Sequence, residues 1–381
     1  MSERRAALAY AAFQSKDWKS AAEHIEAAKQ EGYQPALQLE IFSAFIAYQR
    51  GKYAEAIEAL ERTLEATNGA IGETALSLLI RLHLLQGDAQ RGWQLVLEYC
   101  PKNVFGPQLY SLPRWRGEPL NGRRIIVWGT GYGDDILYAR FVPKLADAGA
   151  EVIINCRSRL VRLFRSLPGV KDVLPLETAV VGGDFHVNLA ELPALFEAHR
   201  RENIWQGPYL SAEPKSLTAT GWRVGLVWGT DSRHQEAADR TTTLAEMSLL
   251  ATVPGVQLFS LQFGPHAAQL SSVPAGMVIE DLASGDRNFA DAAGAIAAMD
   301  LVITIDTATA NLAGALGAPF WVAVPFIPDW RWGLEGDRTP WYPTAKIYRQ
   351  PVPADWRIVF QAITEDLAEM IATEKRTSSP L

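Results

Sequence analysis

The sequence predicts an α-helical module followed by two open, doubly wound α/β halves, and three observations predict it. Residues 3–105 are nearly free of Pro and carry apolar positions every three or four residues. From about residue 122, short β-rich runs alternate with helical ones, the pattern of a parallel sheet. The alternation then restarts after the Pro-containing stretch 207–221, so there are two such halves.

The helical part reads LAYAAF, AAEHIEAA, IFSAFIAY, AIEALERTL and LSLLIRLHLL. Aligning KDWKSAAEHIEAA, GKYAEAIEALERT and GDAQRGWQLVLEY puts Trp18, Tyr53 and Ala89 in one column, at spacings of 35 and 36 residues. A period of that length means stacked helix pairs. The middle copy, with Gly51, Tyr53, Ala56 and Ala59, resembles a tetratricopeptide repeat; the outer copies are degenerate, and any Ala-rich array of helical hairpins gives part of the same signal. Such stacks present a concave face that holds peptides or partner proteins, so a protein partner is expected at the helical domain, residues 1–105.

Residues 106–121, with Pro, Gly and Arg, read as a linker. The first half, 122–215, runs RRIIVWG, DILYARFVPKLADAG, EVIINC, RLVRLFRSL, KDVLPL and FHVNL. The second, 216–381, runs RVGLVWG, a polar loop, a helix near 243–252, VQLFSLQF, MVIEDLA, a helix over 291–298, DLVITID, a helix over 307–316, FWVAV and a final helix over about 355–374. Two Rossmann-like halves in tandem leave a cleft at the carboxyl ends of their strands, where open α/β sheets bind ligands.

Composition narrows the function. With 48% hydrophobic and 21% charged residues over 381 positions, disorder is excluded as the dominant state. The 36 Lys and Arg against 43 Asp and Glu form no basic stripe, so nucleic acid is not an expected partner. Two cysteines, Cys100 and Cys156, make no disulfide framework, and the start MSERRAALAY lacks the apolar core of a signal peptide, so the expected compartment is the cytoplasm. The most apolar stretch, 301–327, is broken by Asp306, Asn311, Pro319 and Pro325, which argues against a transmembrane segment. The six His have no metal-ligand spacing, and there is no GxSxG elbow or P-loop. Twelve Trp, ten of them after position 110, are a marked excess.

Two strand-to-helix turns carry the chemistry. GTGYGDD, residues 129–135, follows the first strand; its glycines permit a sharp turn, but a third fingerprint glycine and an acid ending the second strand are missing, which disfavours a nicotinamide site. Asp134 and Asp135 stand at the helix start, where a carboxylate stays ionised and can take a proton from a hydroxyl; each can equally be a capping residue. In DLVITIDTATANLAGALGAPFWV the strand 301–305 ends in Asp306 and Thr307, and the first-turn amides with the Thr307 and Thr309 hydroxyls suit a diphosphate.

GYGDDILYARFVPKL, VRLFRSLPGV, RVGLVWG, PGVQLFSLQFG, AAGAIAAMDLVITIDT, LAGALGAPFWV and PFIPDWRW occur in an order that resembles GT-B glycosyltransferases of family 9, the ADP-heptose lipopolysaccharide heptosyltransferase group, with tetratricopeptide repeats in front. The resemblance covers essentially the whole chain. It implies Asp134 as catalytic base, with Asp135 the neighbouring alternative, and Asp306, Thr307, Ala308 and Thr309 at the donor diphosphate with Asn311 and Arg240 assisting. It also implies a donor pocket lined by Gln262, Trp330 and Arg331, with no metal and no cofactor beyond the nucleotide-sugar co-substrate. Such sequences usually have a His where this chain has Asn311 and commonly a Lys where it has Phe263; of the basic loop after RVGLVWG, Arg233, His234, Asp239 and Arg240 remain. The expected function is sugar transfer from a nucleotide-diphosphate sugar to a glycan or protein. The alternative is a non-catalytic repeat scaffold with a degenerate sugar-nucleotide domain. Trp128 and Trp228, ending the two opening strands, are expected to face or floor the cleft, with Trp330 and Trp332 at its rim.

Overall fold

The computed structural model describes residues 2–33, 36–99, 111–230 and 237–378. Cys100, Arg233 and His234 therefore lie outside the described residues. The chain divides into two compact units, Met1–Pro107 with Asp329–Leu334, and Gln108–Pro328 with Glu335–Leu381.

The first unit is built on six helices, α1 Ser2–Gln14, α2 Trp18–Gln30, α3 Ala36–Gln49, α4 Tyr53–Ala66, α5 Glu73–Leu85 and α6 Ala89–Tyr99, each packed on the next. Trp18, Tyr53 and Ala89, the aligned column, are the first residues of α2, α4 and α6. Small residues make the pairing close, with Ala21 and Ala28 on α2 and Ala56 on α4 at 0% exposure. Gly51 turns α3 into α4 at φ 71°, a left-handed conformation that costs a side chain dearly. On α6, Gly92, Trp93, Leu95 and Val96 form a buried stripe.

Part of that stripe is covered by residues from far along the sequence. A short 3-10 turn, Trp330–Trp332, belongs to the helical unit and packs against α5, and Trp330 meets Trp93 edge to face at 5.6 Å. Asp329 caps the turn, accepting from the Arg331 backbone N–H at 3.2 Å and from Arg331 Nε at 2.8 Å. Trp330 and Arg331 were expected to line a donor pocket; both are instead buried in the helical unit, because an apolar stripe with one aromatic already on it is the better place for an indole. Trp330→Ala should cost about 3–5 kcal/mol in urea unfolding. A double cycle with Trp93→Ala should return a coupling of about 0.5–1.5 kcal/mol.

In the second unit, β1 Arg124–Trp128, α7 Gly133–Tyr138, α8 Val142–Asp147, β2 Glu151–Cys156, α9 Ser158–Phe164, β3 Val170–Pro175, β4 Phe185–Asn188 and α10 Leu192–Leu195 make the first half. Its strands are parallel in the order β3-β2-β1-β4, with Ile126 opposite Ile153 and His186. Within the expected linker, residues 113–115 run beside β4: Trp115 N–H donates to the His186 carbonyl at 2.9 Å and His186 N–H to the Pro113 carbonyl at 3.0 Å.

The second half holds β5 Trp222–Val227, α11 Ala237–Arg240, β6 Val256–Ser260, β7 Ile279–Asp281, α12 Phe289–Ala297, β8 Leu301–Ile305, α13 Ala308–Ala315, β9 Phe320–Val324, β10 Ala345–Arg349 and α14 Trp356–Ser378. Its order, β10-β9-β8-β5-β6-β7, all parallel, is the Rossmann order 3-2-1-4-5-6 read from the β7 edge. The first sheet repeats the first four places of that order. The helix expected near 243–252 is a 3-10 segment, Glu246–Thr252, and β10 is a strand the hydropathy pattern did not announce.

Strands of a parallel sheet covered on both faces are apolar throughout, and β8 and β9 are buried at every residue. The same logic corrects the reading of the two strand-end tryptophans. Trp228 is wholly buried in the core with Leu226, Ile303 and Phe360, its indole N–H donating to the His266 carbonyl at 3.2 Å. Trp128 is buried too, and its Nε1 donates to His186 Nδ1 at 3.1 Å. Burial first, and Arg114 second, hold His186 below its usual range, which favours the neutral ring that accepts at Nδ1. Among the described residues no helix is long and apolar enough to cross a membrane.

Candidate active site

The glycine-rich turn after β1 separates its two aspartates. Asp134 is exposed on the first turn of α7, whereas Asp135 is 4% exposed, its carboxyl lodged against Gly129 and accepting the Gly131 N–H. A Cβ on Gly129 would collide with that carboxyl, so glycine here serves a close approach as well as a turn. Asp135 Oδ2 has no hydrogen-bond partner among the described residues. Burial first, and the neighbouring Asp134 second, push Asp135 well above the usual carboxylate range, against the Gly131 N–H and Arg157. Ionisation at the helix start was expected for both acids; for Asp135 desolvation wins and favours the protonated form, which suits it poorly to the role of base. Cys156, at the end of β2, is likewise pushed up to about 12, chiefly by burial, so its thiol stays protonated.

A folded chain that keeps a proton on Asp135, while the unfolded chain has released it, loses stability as the pH climbs from the ordinary carboxylate range through the raised folded value. Asp135→Asn retains an acceptor for the Gly131 N–H and removes that loss. Its urea unfolding free energy should therefore fall less than that of the wild type as the pH rises above the ordinary carboxylate range.

On the second sheet the turn from β8 into α13 holds the other expected group. Asp306 is buried, and Arg240 at the end of α11 reaches its Oδ2 with Nη1 at 3.5 Å. Thr307 is the N-cap: its hydroxyl accepts the Thr309 N–H at 3.2 Å and lies 3.3 Å from the Thr304 hydroxyl. Capping thus consumes one of the amides expected to face a diphosphate. The Ala308 N–H has no acceptor within the helix and remains for one.

The two turns meet. A Cβ on Gly133 would stand 3.0 Å from Asn311 Nδ2 and 3.6 Å from the Ala308 Cα, so the starts of α7 and α13 abut, and Asp134 sits one residue from that contact. Tyr132 packs on Phe289 at the start of α12, with ring centroids 5.1 Å apart, and Arg157 lies 5.1 Å from the Tyr132 ring. Asn311 is buried: its Nδ2 donates to the Thr307 carbonyl at 3.5 Å, and its Oδ1 accepts from the Tyr342 hydroxyl at 3.0 Å. Its amide thus ties the first turn of α13 to Tyr342 at the contact with Gly133. Gln262 is also a brace, its Oε1 accepting the N–H groups of Trp228 and Gly229 at 2.9 and 2.8 Å while Nε2 donates to the Gly229 and Phe263 carbonyls. Every polar position on that amide is used, so it shapes the loop after β5 rather than presenting itself to a ligand. Phe263 is 51% exposed, and Arg159 of α9 lies over its ring at 4.1 Å.

Sequence reasoning missed a polar pocket of about 500 Å³ at the start of α12, lined by Arg162, Lys215, Asp286, Arg287, Asn288 and Asp291 with Gly285. Arg162 pairs with Asp291 at 2.6 Å and Lys215 with Asp286 at 2.5 Å; Arg287 carries no ion pair among the described residues. These residues come from three separate segments and follow no motif, so no local pattern could have flagged them. Among the described residues no cluster of three or more His, Cys, Asp or Glu is placed to hold a metal ion.

No family model matches the sequence. The protein FlbA of Caulobacter vibrioides is 25% identical over 336 residues, 76% of this chain and 54% of that protein, so the chain spans about half the length of the curated relative it matches. Among solved structures, the chain is similar to a glycosyl transferase family 9 protein from Veillonella parvula at 13% identity and a TM-score of 0.48, over 70% of this chain and all of that one. It is also similar to the E. coli ADP-heptose lps heptosyltransferase II at 14% identity and a TM-score of 0.46, over 66% of this chain and 99% of that one.

Proposed function

We propose that the α/β unit is a glycosyltransferase of GT-B type that moves a sugar from a nucleotide-diphosphate sugar to a glycan or protein acceptor, with inversion and without a metal. The observation that carries this reading is the meeting of the two helix starts, with an exposed carboxylate, Asp134, beside the contact of Gly133 with Ala308 and Asn311. In the reaction the acceptor hydroxyl oxygen bonds to the anomeric carbon as its proton passes to Asp134. The bond to the diphosphate breaks on the opposite face, which inverts the centre. Charge gathering on the departing diphosphate is met by the Ala308 N–H and the start of α13, with Arg240 nearby, the preorganised stabilisation that a transition state needs. The pocket of about 500 Å³ beside α12 falls within the range of small-molecule sites and offers Arg287 to an anionic ligand. The helical unit would hold the acceptor or a protein partner, and the proposed setting is the cytoplasm.

A thermal-shift screen with ADP-, UDP-, GDP- and dTDP-sugars tests the reading. A donor at a hundred times its Kd should add about 2.7 kcal/mol to stability, and absence of a shift with all four classes would overturn donor binding. A second reading, nucleotide binding without transfer, is favoured by the exposed apolar Phe263 and by the engagement of Asn311 with Tyr342. It predicts a shift with a nucleotide sugar but neither transfer nor hydrolysis of it.

A further inference from the structure

A second pocket, of about 180 Å³, opens where the first half passes into the second, lined by Arg140, Lys144, Trp205, Tyr209 and the 203–208 crossover, with Asp147 at the rim. One water needs only about 10–15 Å³ of such space, so the pocket admits a larger guest. The donor site described above shares none of these lining residues.

The lining is cationic and has donors to spare. Arg140 is 8% exposed and forms no ion pair among the described residues. Its Nε donates to the Leu137 carbonyl at 2.9 Å, Nη1 to the carbonyls of Ile204 at 3.2 Å and Trp341 at 2.7 Å, and Nη2 to the Tyr209 hydroxyl at 3.4 Å. A guanidinium has five N–H groups, so one on Nη2 remains. Lys144 makes a long contact, 3.5 Å, to the Asn203 carbonyl, and its ammonium lies 5.6 Å from the ring centroids of both Phe141 and Phe196; no carboxylate pairs with it among the described residues. Burial holds Lys144 below its usual range, which an anion at its side would reverse. Trp205 and Tyr209 give the pocket flat apolar walls.

We infer that this crossover pocket is a binding site for a small oxyanion, the phosphate or carboxylate group of an effector, held by Lys144 and the spare Arg140 N–H. Asp147 at the rim opposes an anion, so Asp147→Asn should bind at least as tightly.

Calorimetric titration of the full chain with inorganic phosphate, and separately with acetate, tests the site and tells the two anion classes apart. The expected result is saturable binding of one or both that Lys144→Gln weakens about tenfold or more, as loss of a charge-assisted hydrogen bond should, and that Arg240→Gln leaves in place. Lys144 is only partly buried, so this variant avoids the folding risk of altering the buried Arg140. Saturation by neither anion would overturn the inference. So would binding that Lys144→Gln leaves unchanged, or that disappears with Arg240→Gln, which would place the anion at α13.

Discussion

Asp134→Asn should lower the rate of sugar transfer by about 10²- to 10⁴-fold, the span that a positioned general base contributes, while the thermal shift given by the donor stays as in the wild type. The amide keeps the size and one acceptor oxygen of the carboxylate but cannot take the proton of the acceptor hydroxyl. Asp135 cannot stand in for it. That carboxyl is turned inward against Gly129, is 4% exposed, and is pushed by its burial toward the protonated form. In the same assay Asp135→Asn should lose far less rate than Asp134→Asn, because it alters a carboxyl that is buried against Gly129 and out of reach of the acceptor. Turnover with the donor found in the screen, measured for both variants, decides the matter. Equal rates for wild type and Asp134→Asn would remove Asp134 from the base role, and a deeper loss in Asp135→Asn would exchange the two assignments.

The order of the two aspartates shows where sequence reading stops. Both stand in the first turn of α7, and neither spacing nor residue type separates them. What separates them is the path of the glycine loop, which closes over one carboxyl and leaves the other in solvent. The β8–α13 turn was legible because a fully buried strand followed by a Thr cap and small residues is a local pattern, and its predicted helix, 307–316, differs from Ala308–Ala315 by one residue at each end. β10 escaped because it is an edge strand with Lys346 and Arg349 interleaved among its apolar residues, as suits an unpaired edge. The tryptophans misled for a different reason. An indole beside a strand end or in a Pro-flanked loop suggests a binding platform, but Trp228 fills the sheet core, and Trp330 closes on Trp93, a partner in the other stretch of sequence that makes up its unit. Contacts so distant in sequence leave no periodic trace. Polar braces such as Gln262 and Asn311 lie next to the chemistry and carry the residue types that chemistry uses, so only their hydrogen bonds reveal that those groups are already engaged.

Arg140→Met should destabilise the α/β unit by about 3 kcal/mol or more in urea unfolding, among the larger costs a single substitution carries. Methionine occupies much of the same volume, so the cost is not mainly a cavity. It comes from the acceptors left behind: the carbonyls of Leu137, Ile204 and Trp341 all receive the guanidinium, and although Leu137 keeps a long contact with the Tyr209 hydroxyl, each stranded buried acceptor costs about 1–3 kcal/mol. The aromatic shell adds to this, since Arg140 lies 5.6, 5.2, 5.2 and 4.7 Å from the ring centroids of Trp205, Tyr209, Trp341 and Tyr342. Trp341 and Tyr342 belong to the second half while Arg140 belongs to the first, so one side chain fastens the two sheets together. Tyr342 then carries the connection to Asn311 and the start of α13, against which a Cβ on Gly314 would find no room beside the same Tyr342 ring. The substitution should therefore also weaken donor binding, although Arg140 touches none of the donor residues, and Arg140→Lys should recover little, because an ammonium cannot serve the planar array of carbonyls that a guanidinium spans. If Arg140→Met unfolds at the same urea concentration as the wild type, the fastening lies elsewhere. If it unfolds earlier but binds the donor unchanged, the chain from Arg140 through Tyr342 to α13 carries stability without positioning the site.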